Sequence, residues 1–341
     1  MIKYLIPFIT SFALTVILIT VGSYLAGKIK WQGRRSERHI HKKGVFRIGG
    51  IVMILVFNLV TILNPDLVFT PELLGMMFGT LIILAVGVRD DIKEVFWKTQ
   101  FLFQVMISIL VFVVGVRIYY VSNPLTGGII NLDAGFGIIF SIAIVIFWIV
   151  LMINSINWLD GIDGLSGGVT FIGAMTVFFL SLKPEVNQPP VAIVSVILAG
   201  SVLGFIIYNF NPSRVIAGTA GSMFMGFSLA VLAIFSGTKI ATAILVMALP
   251  IIDFLWVIGE RVRERESIFK PDRRHLHYKL LELGWSQKKI TLYFYAVTII
   301  IAIIALNTRM IGKTITLSAT FGVLLIILIW INRKIKNQSQ V

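Results

Sequence analysis

The sequence predicts an all-α protein that crosses a membrane many times, and three observations carry that reading. Of 341 residues, 57% are hydrophobic and only 13% charged, whereas a soluble domain is about 25% charged. So little polar surface cannot cover a water-soluble core. The apolar residues pooled with the 29 glycines supply roughly eleven spans at about 20 residues each. The 30 lysines and arginines fall in clusters between apolar runs, on alternate sides of the membrane those runs define.

Apolar runs, broken at charge clusters and at Gly, Pro and Asn, place spans near 4–26, 48–64, 72–88, 100–117, 136–153, 166–182, 191–208, 218–236, 239–258, 290–306 and 314–332. Only Lys3 precedes the first run. That run is too long for a signal peptide and lacks a small-residue cleavage site, so it reads as a retained helix. Loops 27–47, 89–98 and 259–289, with Arg214 and the tail 333–336, hold 24 of the 30 cations, while Lys3, Arg117, Lys183, Lys239, Arg309 and Lys313 lie on the other side. The positive-inside rule makes the richer side cytoplasmic, with the N-terminus outside and the C-terminus inside. The net charge of +14 therefore records orientation, and no nucleic acid is needed to explain it. The chain reads as one integral membrane domain, 1–341, with a long cytoplasmic loop at 259–289. With no cysteine and four histidines, any metal must be held by oxygen or imidazole.

Acidic residues contribute little to orientation, so their placement carries separate information. Asp66, Glu72, Asp133 and Glu185 fall in outer loops, and the other twelve fall at or near cytoplasmic ends. A carboxylate facing lipid at mid-bilayer costs about 2.5–3.5 kcal/mol, and none is placed there. The pattern describes a polar site at the cytoplasmic interface, reachable from water and from lipid.

Four segments carry candidate chemistry. In GVRDDIKE, 87–94, the adjacent Asp90 and Asp91 repel one another and favour a cation, metal or basic partner. A solvated helix end beside Arg89 and Lys93 is the competing reading. In NSINWLDGIDGLSGG, 154–168, Asn154, Asn157, Asp160 and Asp163 recur every third residue with no Lys or Arg among them. On a continuous helix that spacing drifts by about 60° per step, so Gly161 and Gly164 are expected to end the helix and fold the aspartates over its mouth.

In YNFNPSRVIAGTAGSMFMGF, 208–227, Asn-Pro marks a turn and Arg214 is the sole charge. The small residues 218–222 either expose backbone N–H groups to a phosphate or permit close helix packing, and packing is the better-supported reading. In the loop 260–289, Pro271 and Asp272 look like a helix start, followed by His275 and His277 on a short amphipathic helix. Two residues apart on a helix, these histidines point about 200° apart. That argues against shared zinc and for roles as donors to phosphate or base, with Arg273 and Arg274 beside them. A basic helix held on anionic lipid accounts for many of the charges in this loop. In the first cytoplasmic loop, Arg47 beside Gly49 and Gly50 is the cation set apart from the orientation signal.

From about residue 40 to 290 these segments resemble the polyprenyl-phosphate N-acetylhexosamine-1-phosphate transferase family, with the motifs in family order. DDIKE is similar to its paired-aspartate motif and NSINWLDGIDGLSGG to its Asn-rich Asp-Gly-x-Asp-Gly-Leu motif. Arg47-Ile48-Gly49-Gly50 is similar to its Pro-Arg-x-Gly-Gly, with Phe46 in place of proline, and PIID at 250–253 and DRRHLHYKLLELG at 272–284 match its ninth helix and histidine loop. The loop looks like the branch using UDP-N-acetylglucosamine, since the muramoyl-pentapeptide branch usually carries three histidines in a run. Where the family reads Met-Gly-Asp-x-Gly-Ser, this chain reads Ala217-Gly218-Thr219-Ala220-Gly221-Ser222. The family's principal magnesium ligand is thus a neutral threonine here.

The resemblance implies transfer of a sugar 1-phosphate from a UDP-sugar to polyprenyl phosphate in the bacterial cytoplasmic membrane. UMP is released in this first membrane step of envelope polysaccharide synthesis. It implies Mg²⁺, with Mn²⁺ as an alternative, held by Asp90, Asp91, Asp160 and Asp163, the same four residues being the catalytic candidates. Arg47, Lys98, Asn154, Asn157, Arg214, Arg274, His275 and His277 are the substrate-binding candidates, the histidines and Arg274 on the sugar nucleotide. An inactivated homologue that only binds lipid phosphate or UDP-sugar is the rival reading, because of Thr219. A transporter would place charges near mid-membrane between related halves, and no internal repeat is present. Small-residue faces suit a homodimer no better than ordinary bundle packing.

The absence of native cysteine makes orientation directly testable. A membrane-impermeant maleimide applied to intact cells is expected to label Lys183→Cys and spare Lys93→Cys, and the reverse pattern overturns the assignment.

Overall fold

Every one of the eleven apolar runs is helical. The computed structural model describes residues 1–28, 45–122, 128–236, 240–267, 273–308 and 310–338. The helices are α1 (Ile2–Lys28), α2 (Gly49–Ile62), α3 (Pro71–Ile92), α4 (Trp97–Val113), α5 (Gly137–Leu159), α6 (Leu165–Ser181), α7 (Pro189–Asn209), α8 (Gly218–Phe235), α9 (Ile240–Val246), α10 (Ala248–Arg263), α11 (Leu276–Glu282), α12 (Gln287–Asn307) and α13 (Met310–Gln338). In hydrocarbon each backbone N–H and C=O must be satisfied within the protein, and a helix does this within one segment. Seven of the helices are long and apolar enough to cross a membrane, and α2, α4 and α6 are shorter apolar helices. Most of the first cytoplasmic loop, and the helix start expected at Pro271 and Asp272, lie outside the described residues.

The ninth run, expected as one span, is broken. α9 and α10 meet at a 75° bend. Pro250 explains it: without an N–H it cannot bond the carbonyl of Val246, and its ring crowds that carbonyl. The helix restarts one residue on, with Ile251 N–H donating to Met247 at 3.0 Å.

A second departure is a short antiparallel hairpin between α4 and α5, in which β1 (Tyr120–Ser122) pairs with β2 (Ile129–Asn131). Tyr, Val and Ile on these strands favour extended backbone, and the stretch is too short to read as a span.

The helix α8 lies at the centre, packed by α2, α3, α5 and α6, with α1 laid along α7. Phe57 meets Phe224 edge to face at 5.4 Å, and Trp148 donates to the Ala230 carbonyl at 3.1 Å, joining α5 to α8. Between α2 and α3, buried Asn58 donates to Thr80 at 2.8 Å. The outward faces carry Phe140, Phe147, Ile303 and Ile326, all exposed, as a surface that faces lipid rather than water requires.

Two non-helical segments cross where the candidate site forms. Phe46 and Val215 make a parallel bridge, with Phe46 N–H donating to Arg214 at 3.2 Å and Ile216 N–H to Phe46 at 3.0 Å. Gly49 and Gly50 N–H then donate to the carbonyls of Ile216 and Ala217 at 3.2 and 3.0 Å. The entry to α2 is thereby tied to the entry to α8, with Arg47 and Thr219 facing the end of α3. The small residues 218–222 pack closely here, a Cβ on Gly50 falling 2.2 Å from Gly221 N and one on Gly87 2.3 Å from the Ala220 Cα, and Thr219 N–H is taken by Asp91.

Candidate active site

The sequence 209–222 organises this end of the bundle, because its polar groups reach the paired aspartates, the Asp-Gly loop and the entry to α2. Asn209 accepts from Gly164 N–H at 3.0 Å and donates to the Val215 carbonyl at 2.9 Å. Asn211 Nδ2 and Ser213 N–H donate to Asp163 Oδ2 at 2.8 and 3.0 Å. Ser222 Oγ donates to Asn157 Oδ1 at 2.7 Å.

At the end of α3 the paired carboxylates are held apart by different donors. Asp91, buried, accepts on Oδ1 from Arg47 at 3.0 Å and from Thr219 N–H at 3.1 Å. Asp90 accepts on Oδ1 from Val95 N–H at 2.8 Å and Gln100 at 2.7 Å, and on Oδ2 from Thr219 Oγ1 at 2.6 Å. A cation and four neutral donors thus offset the repulsion that the sequence pair implied. Thr219 spans both aspartates, its backbone on one and its hydroxyl on the other.

In the Asp-Gly loop, α5 ends at Leu159 with Asp160 as its C-cap, and Gly164 is left-handed at φ +78° just before α6. The helix stops before the first aspartate and before both glycines, and of the two only Gly164 takes the left-handed conformation. Ser166 Oγ donates to Asp160. Asn154, inside α5, donates to Gln104 of α4 at 2.7 Å and to the Val150 carbonyl at 2.8 Å, so its amide serves the helix contact.

The two histidines do not diverge. His275 is the extended N-cap of α11 at ψ 148°, and only His277 lies inside the helix. The helical spacing therefore does not apply, and their rings lie parallel with centroids 5.7 Å apart. His275 Nδ1 is 2.9 Å from Asp253 Oδ2, and Leu276 N–H donates to Asp253 Oδ1 at 2.7 Å. The edge of His275 meets Trp158 of the Asp-Gly loop at 5.2 Å, and Arg261 covers Trp158 at 4.8 Å. His277 packs on Gly161, where a Cβ would lie 2.4 Å from its Nε2.

The side chains of three further candidates lie outside the hydrogen bonds that join these motifs. Lys98 is exposed over the rings of Phe96 and Trp97 at 5.9 and 5.5 Å. Arg214 is exposed beside the crossing. Arg274 donates to Glu264 at 2.5 Å and Glu266 at 2.9 Å, so its charge closes the loop behind α10. Sequence reasoning passed over Gln100, Gln104, Asn211, Ser222 and Gln287. The usable signal was polar amides inside or bordering apolar runs, which rarely stand in a membrane helix without a partner.

Among the described residues no three of His, Asp and Glu converge as a metal cluster. The donor sets explain this: Asp90, Asp91, Asp160 and Asp163 each already accept from protein groups. An all-protein cage does not fit. Magnesium needs only one or two carboxylates when substrate phosphates and water complete its shell, and ionised carboxylates retain further lone pairs. That mode fits the Asp90–Asp91 end of α3.

Burial pushes the His277 imidazole down to about 3, with His275 adding to the shift and Asp253 opposing it. The folded ring stays neutral, whereas an unfolded histidine takes a proton near 6.5. Its contribution to stability is therefore complete above pH 6.5 and is lost as pH falls towards 3. The melting temperature is expected to drop between pH 7 and 5. His277→Asn should remove this residue's share of the slope, at most about 1.4 kcal/mol per pH unit. A slope unchanged by the substitution contradicts the assignment.

Comparison with known proteins agrees with this arrangement. The model of glycosyl transferase family 4 matches residues 73–237, which span the paired aspartates, the Asp-Gly loop and the Thr219 segment. A probable undecaprenyl-phosphate N-acetylglucosaminyl 1-phosphate transferase of Bacillus subtilis is 28% identical over 333 aligned residues, covering 96% of this chain and 90% of its own. A decaprenyl-phosphate N-acetylglucosaminephosphotransferase of Mycobacterium leprae is 30% identical over 331, covering 88% and 82%. A phospho-N-acetylmuramoyl-pentapeptide-transferase of Bacillus pumilus is 28% identical over 322, covering 89% and 96%. On the matching family model and the 30% identity to the Mycobacterium leprae relative across most of both chains, the chain belongs to glycosyl transferase family 4, that of the polyprenyl-phosphate N-acetylhexosamine-1-phosphate transferases.

Proposed function

We propose that the protein transfers N-acetylglucosamine 1-phosphate from UDP-N-acetylglucosamine to a polyprenyl phosphate at the cytoplasmic face, releasing UMP. The observation that carries this is the convergence of Asp90 and Asp91, Asp163 and Asn157 on one segment, 209–222, with Arg47 paired to Asp91. The paired aspartates close a membrane-embedded bundle, so a lipid-borne phosphate and a water-borne nucleotide can meet there. The bacterial relatives acting on undecaprenyl and decaprenyl phosphate support the same assignment.

The chemical difficulty is bringing two anions together, and phosphoryl transfer is dominated by positioning and charge neutralisation. Arg47 supplies a fixed cation at the end of α3, and Arg214 and Lys98 offer exposed cations at the same end. His275 and His277 form a parallel pair on the far side of the Asp-Gly loop, which we assign to the sugar nucleotide. A phosphate monoester loses its second proton near pH 6, so a lipid phosphate is largely dianionic at neutral pH and needs no strong base. Asp90, held by three donors, orients the acceptor for direct attack. Where magnesium binds, Asp90 and Asp91 would hold it, and it would supply charge neutralisation on the diphosphate.

A second reading has its own observation. Thr219 donates its proton to Asp90 at 2.6 Å and adds no negative charge where the family carries an aspartate, which favours a homologue that binds substrate without turnover. UMP release from UDP-N-acetylglucosamine, with polyprenyl phosphate and magnesium, separates the two. Release by the wild-type chain, abolished at least 100-fold in Asp90→Asn, supports the transferase. Release only in Thr219→Asp supports the binding homologue, and none from either protein overturns the transferase reading. A phospho-enzyme trapped with UDP-sugar alone would count against direct attack.

A further inference from the structure

The helix α12 read as a plain apolar span, yet one stripe of it makes polar contact with the Asp-Gly loop. Gln287, Thr291 and Tyr295 are spaced four residues apart and share a face. Gln287 Oε1 accepts from Asp163 N–H at 3.3 Å and lies 3.4 Å from Asn211 Nδ2. Thr291 Oγ1 donates to the Asp163 carbonyl at 2.9 Å, and Tyr295 OH donates to the Gly164 carbonyl at 2.5 Å. Ser286 caps the helix, accepting from Lys289 N–H at 3.3 Å, and so sets where the stripe begins.

These groups matter because, whereas Gly164 caps α6 with its carbonyl accepting from Gly168 N–H at 3.0 Å, the N–H and carbonyl of Asp163 fall between α5 and α6. Buried backbone groups must find partners, and α12 supplies them. Gly168 leaves the room: a Cβ there would lie 1.9 Å from the Tyr295 ring. The Asp163 backbone is thus held from α12 while its carboxylate is held by Asn211 and Ser213.

We infer that Gln287, Thr291 and Tyr295 are positioning residues, a clamp on α12 that fixes Asp163 in the site. The catalytic consequence rests on the transferase reading, and the mechanical one does not. Misplacing a reacting constellation by about 1 Å costs on the order of 10²-fold in rate, so loosening one contact is expected to lower kcat by about tenfold.

The test uses the full chain in detergent or nanodiscs. In Thr291→Val and Tyr295→Phe, amides 163–168 are expected to exchange with deuterium at least fivefold faster than in wild type. kcat for UMP release should fall about tenfold with KM for UDP-N-acetylglucosamine within twofold, and Thr291→Ser should restore both. If Thr291→Val does not fold, Tyr295→Phe and Gln287→Leu carry the comparison. Unchanged exchange in folded variants overturns the clamp whatever the turnover. Faster exchange with unchanged kcat overturns its role in positioning. A wild-type chain that releases no UMP sinks the transferase reading instead, and the exchange rates still decide the clamp.

Discussion

The arrangement of the site depends on one crossing of two backbone segments, 46–50 against 214–217, tied by four N–H to carbonyl bonds. Apart from Gly49 and Gly50, which open α2, neither segment is helical, and at the edge of a bilayer unpaired backbone groups cost several kcal/mol each. Pairing them with each other satisfies both and fixes the start of α2 to the start of α8. Arg47 leaves one segment and Thr219 follows the other, so the two reach the same pair of aspartates from different sides.

That placement resolves an electrostatic conflict written into the chain. Two adjacent carboxylates at a helix end repel, and Asp91 is buried besides. Arg47 offsets its charge with an ion pair in which both side chains are about one-tenth exposed. Removing one partner of a buried pair typically costs about 3–5 kcal/mol, so Arg47 is a structural residue whatever else it does. Thr219 completes the arrangement with two neutral donors, where an aspartate would add a third negative charge to the pair.

The same economy of contacts recurs across the site. Asn154 meets Gln104, Asn157 meets Ser222, Asp163 meets Asn211 and α12, and His275 meets Asp253. Each motif is held by a residue from a distant part of the chain, and partly satisfied networks in a low-dielectric setting are costly. The site is consequently over-determined where catalysis needs rigidity. Lys98 and Arg214, in contrast, remain exposed.

Much of this was legible in the order of residues. Apolar runs of span length dictated the helices because hydrocarbon leaves a single segment no other way to pair its backbone. The uncompensated Asn154–Asp163 series and the Asp90–Asp91 pair marked the site because carboxylates at a membrane surface need a reason. The break after Val246 was also present in Pro250, although hydropathy alone ran through it. The pairings were decided only by the tertiary structure. Hydropathy weighs a residue by type, and cannot say that Thr291 of an apolar helix meets Asp163 or that Gln100 meets Asp90. The parallel histidines show the same limit: helical spacing separates them, but an extended cap at His275 brings the rings together. Local sequence determined which segments are helical and where polar groups gather, since those follow from burial in lipid. Which donor answers which carboxylate was settled by packing, because each such bond joins residues that only the assembled bundle brings within reach.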